Sequence, residues 1–282
     1  MKKDKSRIKN MIGAVSANPT IEDWVEMVEQ RPQVPQIIES VLPDEPGEYM
    51  IISGRTGAGK TNLSLHLAYC LATGGRFFGL KCAKVGVNYM AFEGDSRNIA
   101  DRALKIRRNF PATKGRLHFD MIPMEGPANL LREVKGRLVN TKGCKVAFLD
   151  PIKYIVQGEY LKPADVAAFV QGFKEIITKL GLSAVITLPI RKPSERSLIR
   201  PNDVYAIKGA TEYVDAATTV LLVEKRRRKK DKFVLYYAKH RISPGDLPSV
   251  AMIFNKEKCM FEPEVGVEVK EDGGVISIKL AK

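Results

Sequence analysis

The chain has few of the residues that build metal centres and disulfide frameworks. It contains four cysteines and three histidines in 282 residues. The cysteines are Cys70, Cys82, Cys144 and Cys259. No two of them form a C-x-x-C pair, which argues against a zinc site and against a thioredoxin-like redox motif. We therefore expect reduced thiols, most of them in the core.

Long hydrophobic runs are also missing. No apolar stretch approaches the roughly 18 to 20 residues that a membrane helix needs. The first five residues, Met1-Lys2-Lys3-Asp4-Lys5, lack the apolar segment of a signal peptide. Hydrophobic residues nevertheless make up 44% of the chain, which is enough for a buried core in one large or two small domains. We expect a cytoplasmic protein without a membrane partner.

Aromatic and acidic residues are scarce relative to basic ones. Aromatic residues make up only 7% of the chain, which argues against an extensive platform for stacking bases. Lysine and arginine number 46 against 32 aspartates and glutamates, so the formal net charge is +14. This excess favours a polyanionic partner such as nucleic acid. Scattered lysines that keep the surface soluble are the alternative.

The most specific motif is Gly54-Arg55-Thr56-Gly57-Ala58-Gly59-Lys60-Thr61, a complete G-x-x-x-x-G-K-[ST] phosphate loop. An apolar strand is predicted at 49–53 before it and a helix at 62–72 after it. Glycines let the backbone N–H groups curl around phosphate oxygens at a helix N-terminus. Lys60 would neutralise the β- and γ-phosphates, and the Thr61 hydroxyl would bind magnesium. The motif predicts ATP and Mg²⁺ binding, and a flexible glycine-rich turn is the alternative.

Two carboxylates follow predicted strands at the same edge of the sheet. Asp150 ends the apolar run 146–149, and we expect it to reach magnesium directly or through water. Its alternative role is that of an ordinary loop acid. Glu93 ends the run 88–92 and is our candidate for the base that polarises the attacking water. The alternative for Glu93 is a helix cap shared with Asp95 and Ser96.

Strands and helices alternate along most of the chain, which predicts an α/β fold with a mostly parallel sheet flanked by helices. Strands are predicted at 85–92, 117–122, 145–149 and 183–187, and helices at 96–110, 128–139 and 163–180. Further strands at 218–224, 233–238, 250–254 and 265–280 predict an antiparallel, β-rich C-terminal extension. We divide the chain into a basic tail and helix (1–33), an ATPase domain (34–263) and a hairpin-like extension (264–282). The helix in 1–33 either packs on its own domain or docks on a neighbouring subunit.

Together these motifs resemble the RecA-like P-loop ATPase core, and more closely that of ring helicases of the DnaB and RepA types. The resemblance spans about 34–263. Its least common element is the segment 236–245, which resembles the Lys-x-Arg strand end of these helicases followed by a Pro/Gly turn. The resemblance implies a homo-oligomer, a hexamer, in which Arg241, helped by Lys239, reaches into the adjacent subunit's ATP site. Two surface cations are the alternative.

The resemblance also suggests where nucleic acid binds. In RecA-like rings the loop after the strand at 183–187 lines the central channel. Here that segment carries Arg191, Lys192, Arg196, Arg200 and Lys208. Cations along an extended loop can follow single-stranded DNA phosphates without reading bases. A second candidate is the loop 153–162, and the basic run 225–230 is equally compatible with a solvated turn and with DNA contact.

One departure from the resemblance concerns the end of the strand at 183–187. Relatives carry His or Gln there, whereas this chain has Leu188 and Pro189, with Thr187 as the nearest polar substitute. The resemblance implies an ATP-driven motor on single-stranded DNA, a helicase with replication or recombination partner proteins. The departure favours the alternative, an ATP-gated DNA-binding recombination or helicase-loading accessory that does not unwind. A small-molecule kinase fits the basic charge poorly.

Overall fold

The computed structural model describes residues 20–29, 34–122, 130–152, 163–190, 203–207, 210–226, 229–242, 247–272 and 275–280. The chain divides between Val34 and Pro35 into two units. The first contains helix α1 (Ile21–Glu29). Thr20 and Asp23 cap its N-terminus reciprocally: the Asp23 N–H donates to Thr20 Oγ1 at 3.2 Å, and the Thr20 N–H donates to Asp23 Oδ2 at 2.8 Å. The hydrogen bonds that the Asp23 carboxyl accepts from the Thr20 N–H and from the Thr20 hydroxyl lower its pKa.

The second unit is built on a nine-stranded sheet. Its members in spatial order are β13 (Met260–Pro263), β12 (Val250–Asn255), β11 (Lys232–His240), β10 (Thr219–Lys225), β3 (Tyr49–Gly54), β9 (Ser183–Pro189), β8 (Cys144–Asp150), β6 (Gly86–Ala91) and β7 (Leu117–Met121). The six strands from β10 to β7 run parallel, and β11 to β13 are antiparallel. This confirms the predicted α/β fold with a mostly parallel sheet and antiparallel C-terminal strands.

Helices cover both faces of the sheet, because alternate side chains of each strand point to opposite faces. The helices are α2 (Lys60–Thr73), α3 (Ser96–Arg107), α4 (Leu130–Asn140), α5 (Pro163–Lys179) and α6 (Ala210–Ala216). Met50 and Ile52 of β3 belong to the apolar cluster with α2 and α3. Tyr49 and Ile51 belong to the cluster with α4, α5 and α6. Burial on both faces explains why the central strands are almost continuously apolar.

Several short elements were not predicted. They are the hairpin β1 (Gln36–Ile38) with β2 (Leu42–Pro43), the hairpin β4 (Arg76–Phe77) with β5 (Leu80–Lys81), strand β13, helix α6 and a 3₁₀ turn at Val204–Ala206. Each spans two to seven residues, which is too short to establish a periodicity. The C-terminal segment forms the antiparallel pair β14 (Val267–Asp272) and β15 (Val275–Leu280).

Most of the cysteines lie in the core. All four cysteines are unpaired thiols, and Cys70, Cys82 and Cys259 are buried. Within the described ranges, no helix combines the length and apolar character required to cross a membrane.

Candidate functional site

The phosphate loop leaves the centre of the sheet. It follows β3, which lies between β9 and β10, and leads into α2 at Lys60. Gly57 and Gly59 both have positive φ angles, 78° and 84°. A Cβ atom on Gly59 would also lie 2.6 Å from Cζ of Phe261. Both the backbone conformation and the close packing therefore require glycine at position 59.

The Lys60 ammonium lies over this loop. Its Nζ donates hydrogen bonds to the carbonyl oxygens of Gly54 at 2.9 Å and of Arg55 at 3.1 Å. Lys60 and Thr61 line a cleft of about 660 Å³. Glu93 and Asp150 line the same cleft. Four of the sequence-predicted site residues are thus brought together from three separate parts of the chain.

Asp150 ends β8 and is only 3% exposed. Its Oδ1 accepts a hydrogen bond from the Thr187 hydroxyl, and its Oδ2 accepts one from the Tyr89 hydroxyl at 2.5 Å. The Ser64 hydroxyl lies 3.4 Å from Oδ2. Burial, followed by the charge of Asp150, raises the pKa of Tyr89 well above its usual value, so this hydroxyl remains a donor.

Tyr89 and Ser64 were missed by the sequence reasoning, which drew its candidates from the phosphate loop, strand ends and basic loops. A usable signal exists for Ser64, because it stands three residues after Thr61 on the same face of a helix. Tyr89 has no such signal. Its proximity to Asp150 depends on the pairing of β6 with β8, in which Ala91 is opposite Asp150.

Glu93 lies just beyond β6, before Gly94, whose φ is 103°. The alternative for Glu93 is a helix cap shared with Asp95 and Ser96, and the N-cap residue of α3 is Asp95. The Asp95 Oδ1 accepts a hydrogen bond from the Arg97 N–H at 3.1 Å. Glu93 and Asp95 both line the cleft with Lys60 and Asp150.

Lys239 and Arg241 lie at the ends of the strands away from the phosphate loop. Thr219, at the start of β10, is opposite His240 of β11, whereas Val223, near the end of β10, is opposite Gly54 of β3. The end of β11 and the start of the phosphate loop therefore lie at opposite ends of β10. Arg241 Nη2 donates to the Asp215 carbonyl oxygen at 2.5 Å. Lys239 Nζ donates to the Val214 carbonyl and lies 3.3 Å from that of Asp215.

These two cations therefore cap the C-terminus of α6 and complement its dipole. Burial, together with the positive charge of Arg241, lowers the pKa of Lys239. Within one chain neither side chain lines the cleft, so the predicted action of Arg241 on an adjacent subunit stays a prediction.

The predicted DNA-binding residues Arg191, Lys192, Arg196, Arg200 and Lys208 lie outside the described residues, as does the loop 153–162. The strands that precede these segments in sequence, β9 and β8, run parallel to β3 and end at the edge that holds the phosphate loop. Ile190 and Ile207, which flank most of the first segment, pair in an isolated antiparallel bridge.

A second groove, of about 610 Å³, also borders the phosphate loop and shares Thr56 and Gly57 with the cleft. It is formed by the loop and the turn between β10 and β11. Its cations are Arg55, Lys225, Arg226, Lys229 and Lys230, and its one carboxylate is Glu224. Arg226 also pairs with Glu264 at 2.7 Å. We call this surface the basic groove.

One wall of the cleft is aromatic, and it packs against the phosphate loop at Gly59. Phe233, Phe254 and Phe261 line it together with Lys256. The ring centroids of Phe254 and Phe261 are 5.0 Å apart, and those of Phe233 and Phe261 are 5.1 Å apart. Phe233 and Phe261 are buried, at 6% and 1% exposed, so the partly exposed ring of Phe254 is the one that can offer an apolar face to a planar base.

The donor set suits magnesium rather than a metal held by protein ligands alone. Across the ranges given above, no group of three or more His, Cys, Asp or Glu residues could hold a metal ion. Magnesium usually takes one or two protein oxygens and completes its shell with water and substrate phosphates. The Thr61 hydroxyl and the Asp150 carboxylate fit that pattern.

A family model described as an AAA domain matches residues 16–195. No curated protein matches the chain by sequence. Among solved structures, an ATPase domain aligns with a TM-score of 0.61 at 12% identity, over 86% of this chain and 96% of the other. A DnaB-like replicative helicase, whose interactions with primase are described with it, aligns with a TM-score of 0.60 at 13% identity, over 91% and 70%.

A third solved structure is a KaiC-like protein from the hyperthermophilic archaeon Pyrococcus horikoshii OT3. It aligns with a TM-score of 0.56 at 16% identity, over 80% of this chain and 94% of the other. At these identities the structural matches establish a shared fold.

Proposed function

This chain belongs to the AAA domain family, and from that premise we propose that it is an ATP-hydrolysing motor that moves along single-stranded DNA. We propose further that it works as a homo-oligomeric ring, a hexamer. The observation that carries the ATPase part is the convergence of Lys60, Thr61, Glu93 and Asp150 on one cleft.

The roles of these residues follow from their chemistry. The backbone N–H groups of the phosphate loop and the Lys60 ammonium would bind the β- and γ-phosphates, where the N-terminus of α2 also favours negative charge. Glu93 would accept a hydrogen bond from the attacking water and orient it towards the γ-phosphate. Thr61 and Asp150 would hold magnesium, which when bound supplies positive charge at the phosphate oxygens. Phe254, the partly exposed ring of the aromatic wall, would receive the base.

The proposal of a ring on DNA rests on different support. The net charge of +14 suits a polyanionic partner. One similar structure is a DnaB-like replicative helicase described with its interactions with primase, which supports replication or recombination proteins as partners. Arg241 lies away from its own cleft, and this suits a residue that would serve a neighbouring subunit.

One observation favours the second candidate function, an ATP-gated DNA-binding accessory without unwinding activity. Pro189 lines the cleft at the end of β9, and Leu188 is 2% exposed. Thr187, the polar residue nearest to that end, donates its hydroxyl to Asp150. A side chain bound to Asp150 is poorly suited to sense the γ-phosphate and report to a DNA loop.

The test of the proposed function is steady-state ATP hydrolysis with and without single-stranded DNA, with fork unwinding measured on the same preparation. Lys60→Ala should lower hydrolysis by at least about 100-fold, because it removes a charge from the phosphate site. Lys256→Ala, which removes a lysine from the same cleft, should lower it only a few-fold and serves as the matched control.

Hydrolysis stimulated by DNA, with unwinding, would support the motor. DNA binding with slow, unstimulated hydrolysis and no unwinding would support the accessory. Equal rates for the wild type and Lys60→Ala would contradict both, because the activity would then come from a contaminant.

The location of the DNA site can be tested through the salt dependence of affinity. Removing two phosphate contacts should make the negative slope of log K against log salt shallower by about 1.4 for single strands. Two double variants separate the candidates: Arg191→Ala with Lys192→Ala for the predicted loop, and Lys229→Ala with Lys230→Ala for the basic groove. The control is Lys174→Ala with Lys179→Ala, which removes the same charge from α5.

We expect the first pair to flatten the slope. A flatter slope only in the second pair would move the site to the basic groove. The same slope change in all three would mean that the net charge alone drives binding.

A further inference from the structure

Three aromatic rings form a row across neighbouring strands. Tyr89 of β6 is directly opposite Phe119 of β7 and Phe148 of β8. Its ring stacks between theirs, with centroids 5.3 and 5.5 Å away and interplanar angles of 8° and 17°. Tyr89 is fully buried. The stacking therefore fixes the direction in which its hydroxyl points.

That hydroxyl points along the sheet towards the cleft. Asp150 stands two residues after Phe148 and so emerges on the same face of β8. The Tyr89 hydroxyl is 2.5 Å from Asp150 Oδ2 and 2.7 Å from Ser64 Oγ. Ser64 Oγ is also 3.0 Å from the Thr61 carbonyl oxygen. Tyr89 thus connects Asp150 to the first turn of α2, where the phosphate loop ends.

The Asp150 carboxylate is held from both sides, with Thr187 at Oδ1 and Tyr89 at Oδ2. Among the described residues, its hydrogen-bond donors are hydroxyls, and no lysine or arginine forms a salt bridge with it. Hydroxyls orient a carboxylate but do not cancel its charge. A buried carboxylate in this environment is suited to a cation that arrives with the substrate.

A phenylalanine would fill the same space between the rings. The hydroxyl of a buried tyrosine costs free energy unless it is hydrogen-bonded, so its presence here requires a partner such as Asp150. Packing of the ring does not require the hydroxyl, so the hydrogen bond to Asp150 indicates a separate role for it.

We propose that Tyr89 is a positioning residue, whose hydroxyl holds Asp150 in the orientation that supports the magnesium ion accompanying ATP. The inference rests on the proposed ATPase function. It concerns a residue that acts through Asp150 and does not itself touch ATP.

The experiment compares Tyr89→Phe with Tyr49→Phe. Tyr49 is equally buried, on the opposite face of the sheet, and its hydroxyl donates to the Tyr213 carbonyl oxygen at 2.7 Å. Each variant therefore loses one buried, hydrogen-bonded hydroxyl and keeps its ring. The probe is a fluorescent ATP analogue, whose dissociation constant is measured in EDTA and across a magnesium titration, with thermal unfolding alongside.

We expect both variants to lower Tm by similar amounts and to bind the analogue in EDTA within about 2-fold of the wild type. The magnesium concentration that gives half of the metal-dependent gain in affinity should rise about 10-fold in Tyr89→Phe, since a hydrogen bond to a charged group is lost. It should stay at the wild-type value in Tyr49→Phe. In an Asp150→Ala background, Tyr89→Phe should have no further effect, because it acts through Asp150.

An unchanged magnesium dependence in Tyr89→Phe, with the wild type responding normally, would overturn the inference and leave the ATPase proposal standing. An equal shift in Tyr49→Phe would also overturn it, because the effect would then be general destabilisation. A wild type that binds the analogue in no condition would overturn both proposals. If Tyr89→Phe fails to fold, Ser64→Ala removes the neighbouring hydroxyl instead, and a wild-type magnesium dependence in that variant would count against the network.

Discussion

Glu93→Gln is expected to reduce kcat for ATP hydrolysis by about 10²- to 10⁴-fold, the range typical of losing a general base. Glutamine keeps the size and the hydrogen-bonding capacity of the side chain but cannot accept a proton. Glu93 lines the cleft beyond β6 and is not the cap of α3. Nucleotide affinity and Tm should therefore stay close to those of the wild type. Single-turnover hydrolysis and equilibrium binding of ATP measure the two quantities separately.

The matched control for this substitution is Asp95→Asn. Asp95 lies two residues away and lines the same cleft. Its role as the N-cap of α3 can be filled by asparagine, so this variant should keep most of its activity. A Glu93→Gln enzyme within about 3-fold of the wild type would assign the base elsewhere. A similar loss in both variants would indicate that the charge of the segment matters, and not proton transfer at Glu93.

Arg241→Ala is expected to lower kcat by about 10³- to 10⁵-fold without weakening ATP binding to the isolated subunit, as for other arginines supplied across an interface. Arg241 lies at the sheet edge opposite the phosphate loop, so it cannot reach the cleft of its own chain without a large rearrangement. If it acts on a neighbour, each active site is shared between two subunits. Hydrolysis would then depend on protein concentration through assembly.

Mixing provides the decisive measurement for Arg241. An Arg241→Ala subunit still has an intact cleft, and a Glu93→Gln subunit still has an intact arginine. In a head-to-tail ring mixed at equal amounts, roughly a quarter of the clefts would combine the two intact halves. We expect ATPase activity to reappear on mixing, although each variant alone is nearly inactive. No recovery at any ratio would argue against a shared site.

Two controls accompany the mixing experiment. A chain that carries both substitutions should not raise the ATPase activity of either single variant when the two are mixed. Arg241 also caps α6 through the Asp215 carbonyl, so its removal could act through stability. Arg241→Lys keeps a donor for that carbonyl but loses the planar fork that suits phosphate. A loss of activity with a wild-type Tm in this variant would separate the two roles.

The parts of the site that the sequence predicted are those whose geometry is local. The phosphate loop depends mainly on the conformations of its own glycines and on the strand and helix that flank it, so the motif in this context predicts its shape. Glu93 and Asp150 were found because parallel strands bring their carboxyl ends to one edge, and an apolar run that ends in a carboxylate shows this directly. The alternation of apolar strands and amphipathic helices was sufficient to predict the α/β class.

The contacts between segments that are distant in sequence were decided only by the tertiary structure. The Tyr89 hydroxyl meets Asp150, 61 residues later, because β6 and β8 pair in one register, and a shift by one residue would turn it to the other face. The cations Lys225, Arg226, Lys229 and Lys230 could not be related to Arg55 from the sequence, since only the pairing of β10 with β3 brings them beside the phosphate loop. Helix α6 is too short to signal itself, and its end is stabilised by Lys239 and Arg241. Local sequence therefore determined the fold class and the ends of the strands, while strand register, a cooperative property of the whole sheet, decided which side chains meet there.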